Sequence, residues 1–262
     1  MFSALYTAAS GMNAQQMNLE NIANNLANAN TVGFRARHLQ FEDLIYQNVV
    51  VPGAAMTQQT TIPSGMQLGL GTRPAGSEVS DTPGDFTNTG NQLDVAIQGN
   101  GYFQVLTPTG TLAYTRAGSF QLNQQRQLVT QDGNPIQPAI TVPANATSVT
   151  IGQDGTVSVQ EPNQTQAAQV GTIQLALFPN PGGLLATGGN LYVPTTASGD
   201  PLVGAPGSAE GLGTLQQGML EQSNVSVVQE FVNMILAQRS YEANSKVLQA
   251  GSQMLQQLNN IT

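Results

Sequence analysis

The feature that most constrains this chain is a three-four spacing of small and apolar residues at both ends. At the N-terminus it runs through Phe2, Leu5, Ala9, Met12, Gln16, Leu19, Ala23 and Leu26. Near the C-terminus it runs through Phe231, Met234, Gln238, Tyr241, Ser245, Leu248, Ser252 and Leu255. That spacing puts each set on one face of a helix and gives a heptad seam with polar interruptions. Two matching seams separated by roughly 190 residues are able to pack against each other. Ile235, Val247, Met254, Leu258 and Ile261 widen the second apolar face, and the "SNVS" at 223–226 supplies an N-cap. Gly33, in "TVGF", is a breaker near the end of the first helix.

Between the helices the texture changes to short β-branched alternations punctuated by glycine, proline and Asp-Gly pairs. In "SVTIGQDGTVSV", Val149 and Ile151 alternate before Asp154-Gly155 and Val157 and Val159 after it, which predicts a hairpin. "QLVTQDGNPIQP" repeats the device at Asp132-Gly133, and "LDVAIQGNGYFQVL" and "GTIQLALFP" read as further strands. A short amphipathic stretch, "HLQFEDLIYQ", follows the first helix. The expected architecture is therefore α+β: 1–48 an N-terminal helical segment, 49–76 an extended connector rich in Pro, Gly and Thr, 77–215 a β-rich domain, and 216–262 a C-terminal helix packing on the first.

Composition narrows the function. Only 8% of the 262 residues are charged, against about 25% in ordinary soluble domains. Amides take their place, with 22 Asn and 31 Gln. Burying an unpaired charge costs several kcal/mol, whereas an amide that finds a partner comes close to breaking even, so this surface suits a subunit enclosed by others. The net charge of −8 with seven Lys+Arg argues against a nucleic-acid footprint. There is no Cys, hence no disulfide or thiolate chemistry. No apolar run is long enough to cross a membrane, and "MFSALYTAASGMNAQQ" lacks the charged and apolar regions of a cleaved signal peptide.

Catalytic patterns are sought without success. The lone His38 sits beside two arginines, and of nine acids between Leu44 and Leu220, Asp132 and Asp154 are turn residues. "GNG" in "IQGNGYF" has no third glycine and no helical pattern after it, so it reads as a tight turn. No cofactor or metal is expected.

The stretch "ASGMNAQQMNLENIANNLANANTVGFRA" resembles the N-terminal signature of the bacterial flagellar rod and hook protein family. "LEQSNVSVVQEFVNMILAQRSYEANSKVLQAGSQML" is similar to that family's other end, and "LDVAIQGNGYFQV" and "YTRAGSFQLNQQRQLVTQDGNPIQP" to its β-domain motifs. One departure is "NQQRQL", where the family commonly has a glycine turn before the leucine. The resemblance implies a non-enzymatic subunit exported through the flagellar type III apparatus without a cleaved signal. It implies helical self-assembly into a rod that crosses the periplasm, with proximal rod proteins, the hook protein and the surrounding ring proteins as further partners. It also implies that the terminal helices pair as a coiled coil in an inner layer, with no nucleic-acid partner and no membrane insertion. The residues expected at the helix-packing and polymer interface are Leu5, Met12, Gln16, Leu19, Ile22, Leu26, Phe231, Ile235, Gln238, Tyr241, Leu248 and Leu255. Other readings are another axial subunit or, from a different class, a secreted β-rich adhesin or glycan-binding module. The length and the connector, roughly Val49 to Thr72, favour a rod subunit over the longer hook protein.

Overall fold

The computed structural model describes residues 2–51, 64–162, 166–208 and 211–259. Residues 52–63 of the expected connector lie outside the described residues, as do Ile261 and the side chains of Phe2 and Leu258. The chain is α+β, with an N-terminal helix, a β-rich central region and a C-terminal helix. It divides into two compact units: 1–27 with 37–78 and 226–262, and 28–36 with 79–225.

The first unit is built on α1 (Phe2–Ala27) and α2 (Val227–Asn259). At about 1.5 Å per residue they are roughly 39 and 50 Å long. They run antiparallel. Gly251 faces Leu5, Gly11 faces Asn244, and Asn25 donates to Glu230 at 3.4 Å, so partners sum to about 255 along the pair. α1 stops at Ala27, before Gly33, because the next residues close a turn: the Thr31 N–H donates to the Asn28 carbonyl at 3.1 Å and its hydroxyl to Asn28 Oδ1 at 3.1 Å. The amphipathic stretch that follows is extended, not helical, and forms β1 (Arg37–Asp43) and β2 (Tyr46–Val50). β2 pairs antiparallel with β3 (Met66–Gly69), and β1 with β4 (Thr72–Val79).

In the second unit, β5 (Phe86–Asn88) and β6 (Val95–Gln98) precede β7 (Tyr102–Leu106) and β8 (Leu112–Thr115), a hairpin at the centre of a six-stranded sheet. β9 (Gln121–Leu122) and β10 (Leu128–Val129) form a small ribbon. β11 (Ser148–Ile151), β12 (Thr156–Gln160) and β13 (Ala168–Thr172) form a three-stranded sheet. The expected turn joins the first two, with Val149 opposite Val159, Ile151 opposite Val157, and Gly155 at φ +83. β14 (Leu175–Leu177), β15 (Leu185–Gly188), β16 (Leu191–Val193) and β17 (Leu202–Gly204) complete the large sheet in the order β15-β16-β8-β7-β14-β17. Finally β18 (Thr214–Gln217) pairs with β6 and β19 (Met219–Glu221) with β5.

The β7 strand shows why this sheet is buried on both sides. Phe103 and Val105 point into a core shared with Ile97, Phe120, Leu128, Ile136 and Leu175. Tyr102 points the other way, into an aromatic cluster with Tyr114, Phe178 and Tyr192. Tyr114 and Phe178 meet edge-on at 4.8 Å, the arrangement that opposed ring quadrupoles favour.

Candidate assembly interface

The seam by which α2 meets α1 is not the one with the largest apolar side chains. Glu230, Ala237 and Gly251 are its buried residues, with Asn233, Met234, Asn244, Leu248 and Leu255 half-buried. Small residues at Gly11 and Gly251 set the separation: a Cβ on Gly251 would lie 2.5 Å from Leu5 Cδ2, and one on Gly11 2.8 Å from Asn244 Nδ2.

Large apolar residues lie on the other side of α2. Val227, Val228, Phe231, Val232, Ile235 and Leu236 are all more than a third exposed, Val228 at 75%. At about 100° per residue they fill an arc of about 180°, roughly opposite Glu230, Asn233, Met234 and Ala237. An apolar helical face of this extent, on a helix whose other face is already paired, marks a surface built to be covered. The β2–β3 ribbon adds exposed Tyr46, Val49, Met66 and Leu68.

Of the residues expected at the interface, Ile22 is buried, and Leu5, Met12, Leu19, Leu26, Leu248 and Leu255 are half-buried. Phe231, Ile235, Gln238 and Tyr241 are exposed, as is Gln16, whose amide donates to Glu20 at 3.2 Å.

The asparagines of α1 do specific work. Asn21 and Asn25 both donate to the Arg37 carbonyl, at 2.6 and 2.9 Å, and Asn25 Oδ1 accepts the Arg37 N–H at 3.0 Å. The helix thereby satisfies the backbone of β1 with neutral groups, which costs less desolvation than ions would.

The second unit holds a buried ionic knot. Glu221, 2% exposed, receives Arg116 Nε on Oε2 at 2.6 Å and Arg35 Nη2 on Oε1 at 3.0 Å. Arg116 also donates to the carbonyls of Gly101 (2.5 Å), Gly99 (2.6 Å) and Ile97 (3.1 Å), and Arg35 to those of Asp81 (2.6 Å) and Thr82 (2.5 Å). Burial lowers the Arg116 pKa and the Glu221 carboxylate opposes that. Beside the knot, Asn224 Oδ1 accepts the Ala36 N–H at 2.7 Å and its amide donates to the Thr82 carbonyl at 2.8 Å. Segments 33–36, 80–84 and 221–224 are thus bound into one collar. The sequence reading assigned no role to these residues, although "GFRA", "YTRAG" and "LEQSNV" each carry one member of the triad. Isolated charges in a chain this poor in them were the available signal.

Among the described residues no group of three His, Asp or Glu is placed to hold a metal ion, and no helix is long and apolar enough to cross a membrane. A 430 Å³ cleft lined by Asn30, Thr115, Thr130, Asp132 and Asn190 among others carries one carboxylate and no base.

Three family models match the chain: a flagella basal body rod protein model over residues 5–35, a flagellar hook protein FlgE/F/G D1 domain over 96–159, and a flagellar basal body rod FlgEFG C-terminal model over 216–261. The chain is 50% identical over 258 residues to the flagellar basal-body rod protein FlgG of Buchnera aphidicola subsp. Baizongia pistaciae, covering 98% of this chain and 99% of that one. It is 50% identical to FlgG of Caulobacter vibrioides over 97% of both chains. With FlgG of Borreliella burgdorferi it shares 46% identity over 100% of this chain and 99% of the relative.

Proposed function

We propose, since the chain belongs to the flagellar basal-body rod protein FlgG family, that its terminal helices join those of neighbouring copies in a helical polymer, the rigid distal rod. The protein is a structural subunit of the flagellar basal body and not an enzyme. In this reading α1 and α2 form a coiled-coil inner layer. The rod crosses the periplasm and passes torque from motor to hook, touching proximal rod proteins, hook protein and ring proteins. Subunits reach it through the flagellar type III export apparatus without losing a signal peptide.

The observation that carries this reading is the exposed apolar arc of α2 opposite its paired face. Fully burying a large aliphatic or aromatic side chain contributes about 1.5–3 kcal/mol, so completing the half-made burial of six such residues contributes on the order of 6 kcal/mol per subunit. That is enough to drive association while leaving a dilute subunit monomeric. The expected interface residues Phe231, Ile235 and Gln238 belong here, on the polymer side, and Leu5, Leu19 and Leu248 on the intrachain side, with Tyr241 on the flank of the paired face. The connector, in which β3 and the start of β4 lie, stiffens the rod.

The reading is tested by concentrating purified protein and examining it by sedimentation and electron microscopy. Rod-like polymers whose onset shifts to higher concentration in Ile235→Ser are expected. A chain that stays monomeric at all concentrations refutes it.

A further inference from the structure

Resting on that polymer reading, we propose that the polar cleft between α1, α2 and β1 receives the Arg239 side chain of a second copy, which pairs there with Glu230. The cleft has a volume of 310 Å³, and the polar groups in its wall are Gln15, Asn18, Asn21, His38, Asn233 and Ser240, set among apolar residues. Glu230 also lines it. That residue is 5% exposed, and among the described residues its carboxylate accepts one long hydrogen bond, 3.4 Å, from Asn25. Among the described residues no Lys, Arg or His forms an ion pair with it. The carboxylate therefore lines the cleft with room to accept a further donor.

The complementary donor is on the same chain. Of the seven basic side chains, Arg35 and Arg116 lie in the knot, Arg73 pairs with Glu42, Arg126 donates to the Pro143 carbonyl, and Arg37 is half-buried on β1. Arg239 and Lys246, both exposed on α2, make no ion pair among the described residues. At about 100° per residue Arg239 continues the stripe of Val228, Val232 and Ile235. Covering that stripe strips water from the guanidinium, so it needs an anionic partner on the covering surface. A planar guanidinium with five donors matches a carboxylate ringed by amide oxygens better than an ammonium does, which favours Arg239 over Lys246. The stripe and the cleft lie on different sides of α2, roughly 130° apart about its axis, so the contact is heterologous. Such a contact does not close into a two-fold dimer and, where its rotation does not close a ring, repeats into an open helix.

The absence of cysteine makes the geometry directly testable. Asn233→Cys places a thiol in the cleft wall and Ala243→Cys one beside Arg239 on the stripe. Ten residues apart on one helix they are about 15 Å from each other, too far for an internal disulfide. Mild oxidation of the assembled double variant should give a ladder of covalent oligomers, and each single variant should give none. In parallel, Arg239→Gln and the nearly isosteric Glu230→Gln should each raise the concentration needed for assembly by about tenfold or more. The combined Arg239→Gln, Glu230→Gln variant should be no worse than either alone, while Lys246→Gln should change little. Polymers that form normally with no ladder, or additive effects of the two substitutions, overturn this pairing and leave the rod reading standing. Coupling of Arg239 to Glu20 or Glu242 instead also overturns it. Failure of the unsubstituted protein to assemble refutes both.

Discussion

Replacing Arg116 with Met is the sharpest perturbation of the β unit. The guanidinium is 2% exposed, holds Glu221 at 2.6 Å, and is the donor to three carbonyls in the 97–101 segment. Breaking one arm of a buried ion pair costs about 3–5 kcal/mol. Stranding buried carbonyls costs about 1–3 kcal/mol each when no water reaches them. Because these losses overlap, the expected total is about 5 kcal/mol, comparable with the whole stability of a typical domain. Urea unfolding of the full chain, followed by tyrosine fluorescence from the cluster around Tyr102, Tyr114 and Tyr192, reads this directly. With a slope of about 2 kcal/mol per molar the midpoint should fall by about 2 M or more. The triple replacement Arg35→Met, Arg116→Met, Glu221→Leu should recover part of the loss, since removing all three charges strands none of them. A midpoint shift below about 0.3 M for Arg116→Met would refute the reasoning, because it would mean the knot is no more than a solvated pair.

Three further outcomes follow from the same structure. Burial pushes the Tyr102 pKa from 10.0 up to about 12, with Asp81 adding to the effect; the unfolded chain therefore ionises first, and stability intact below pH 10 should fall by on the order of 2–3 kcal/mol between pH 10 and 12. Tyr102→Phe should flatten that loss in alkaline denaturation curves. Arg126 sits at φ +59 in the turn between β9 and β10; Arg126→Gly should leave thermal stability within about 0.5 kcal/mol, as relief of strain offsets the lost bond to Pro143 and the freer unfolded chain, whereas Arg126→Val should cost about 1–2 kcal/mol. Leu19→Ala and Leu248→Ala, each half-buried in the single chain, should destabilise the monomer by only about 1–2 kcal/mol yet lower rod yield and swimming; unaffected rods in both would count against the interface.

Much of this fold was legible because the signals were local. The two helices announced themselves by period, and the Asp154-Gly155 and Asp132-Gly133 turns by the left-handed glycines that now close them, at φ +83 and +82. The choice of seam was not legible. Apolar periodicity marks side chains that something will cover, without saying whether the cover is the same chain or another. Ala237, Gly251 and Gly11 carry weak hydrophobic signals, yet their small size is what lets the helices approach. The departure at "NQQRQL" leaves the hairpin intact: Arg126 takes the left-handed position, with its N–H donating to the Asn123 carbonyl at 2.9 Å. The knot was hidden because Arg116 and Glu221 lie 105 residues apart and no periodic pattern links them. Part of the amide content of α1 found a closer explanation than polymer packing, in the bonds of Asn21 and Asn25 to the Arg37 backbone.

The central claim is that the outward arc of α2 is open in the subunit and covered in the rod. Ile235→Cys supplies a single thiol in a chain that has no other, so maleimide labelling reports on that position alone. Rapid labelling of the dilute monomer, protection in the polymer, and return of labelling when the polymer is dissociated by dilution are expected. Equal labelling rates in monomer and polymer would contradict the claim.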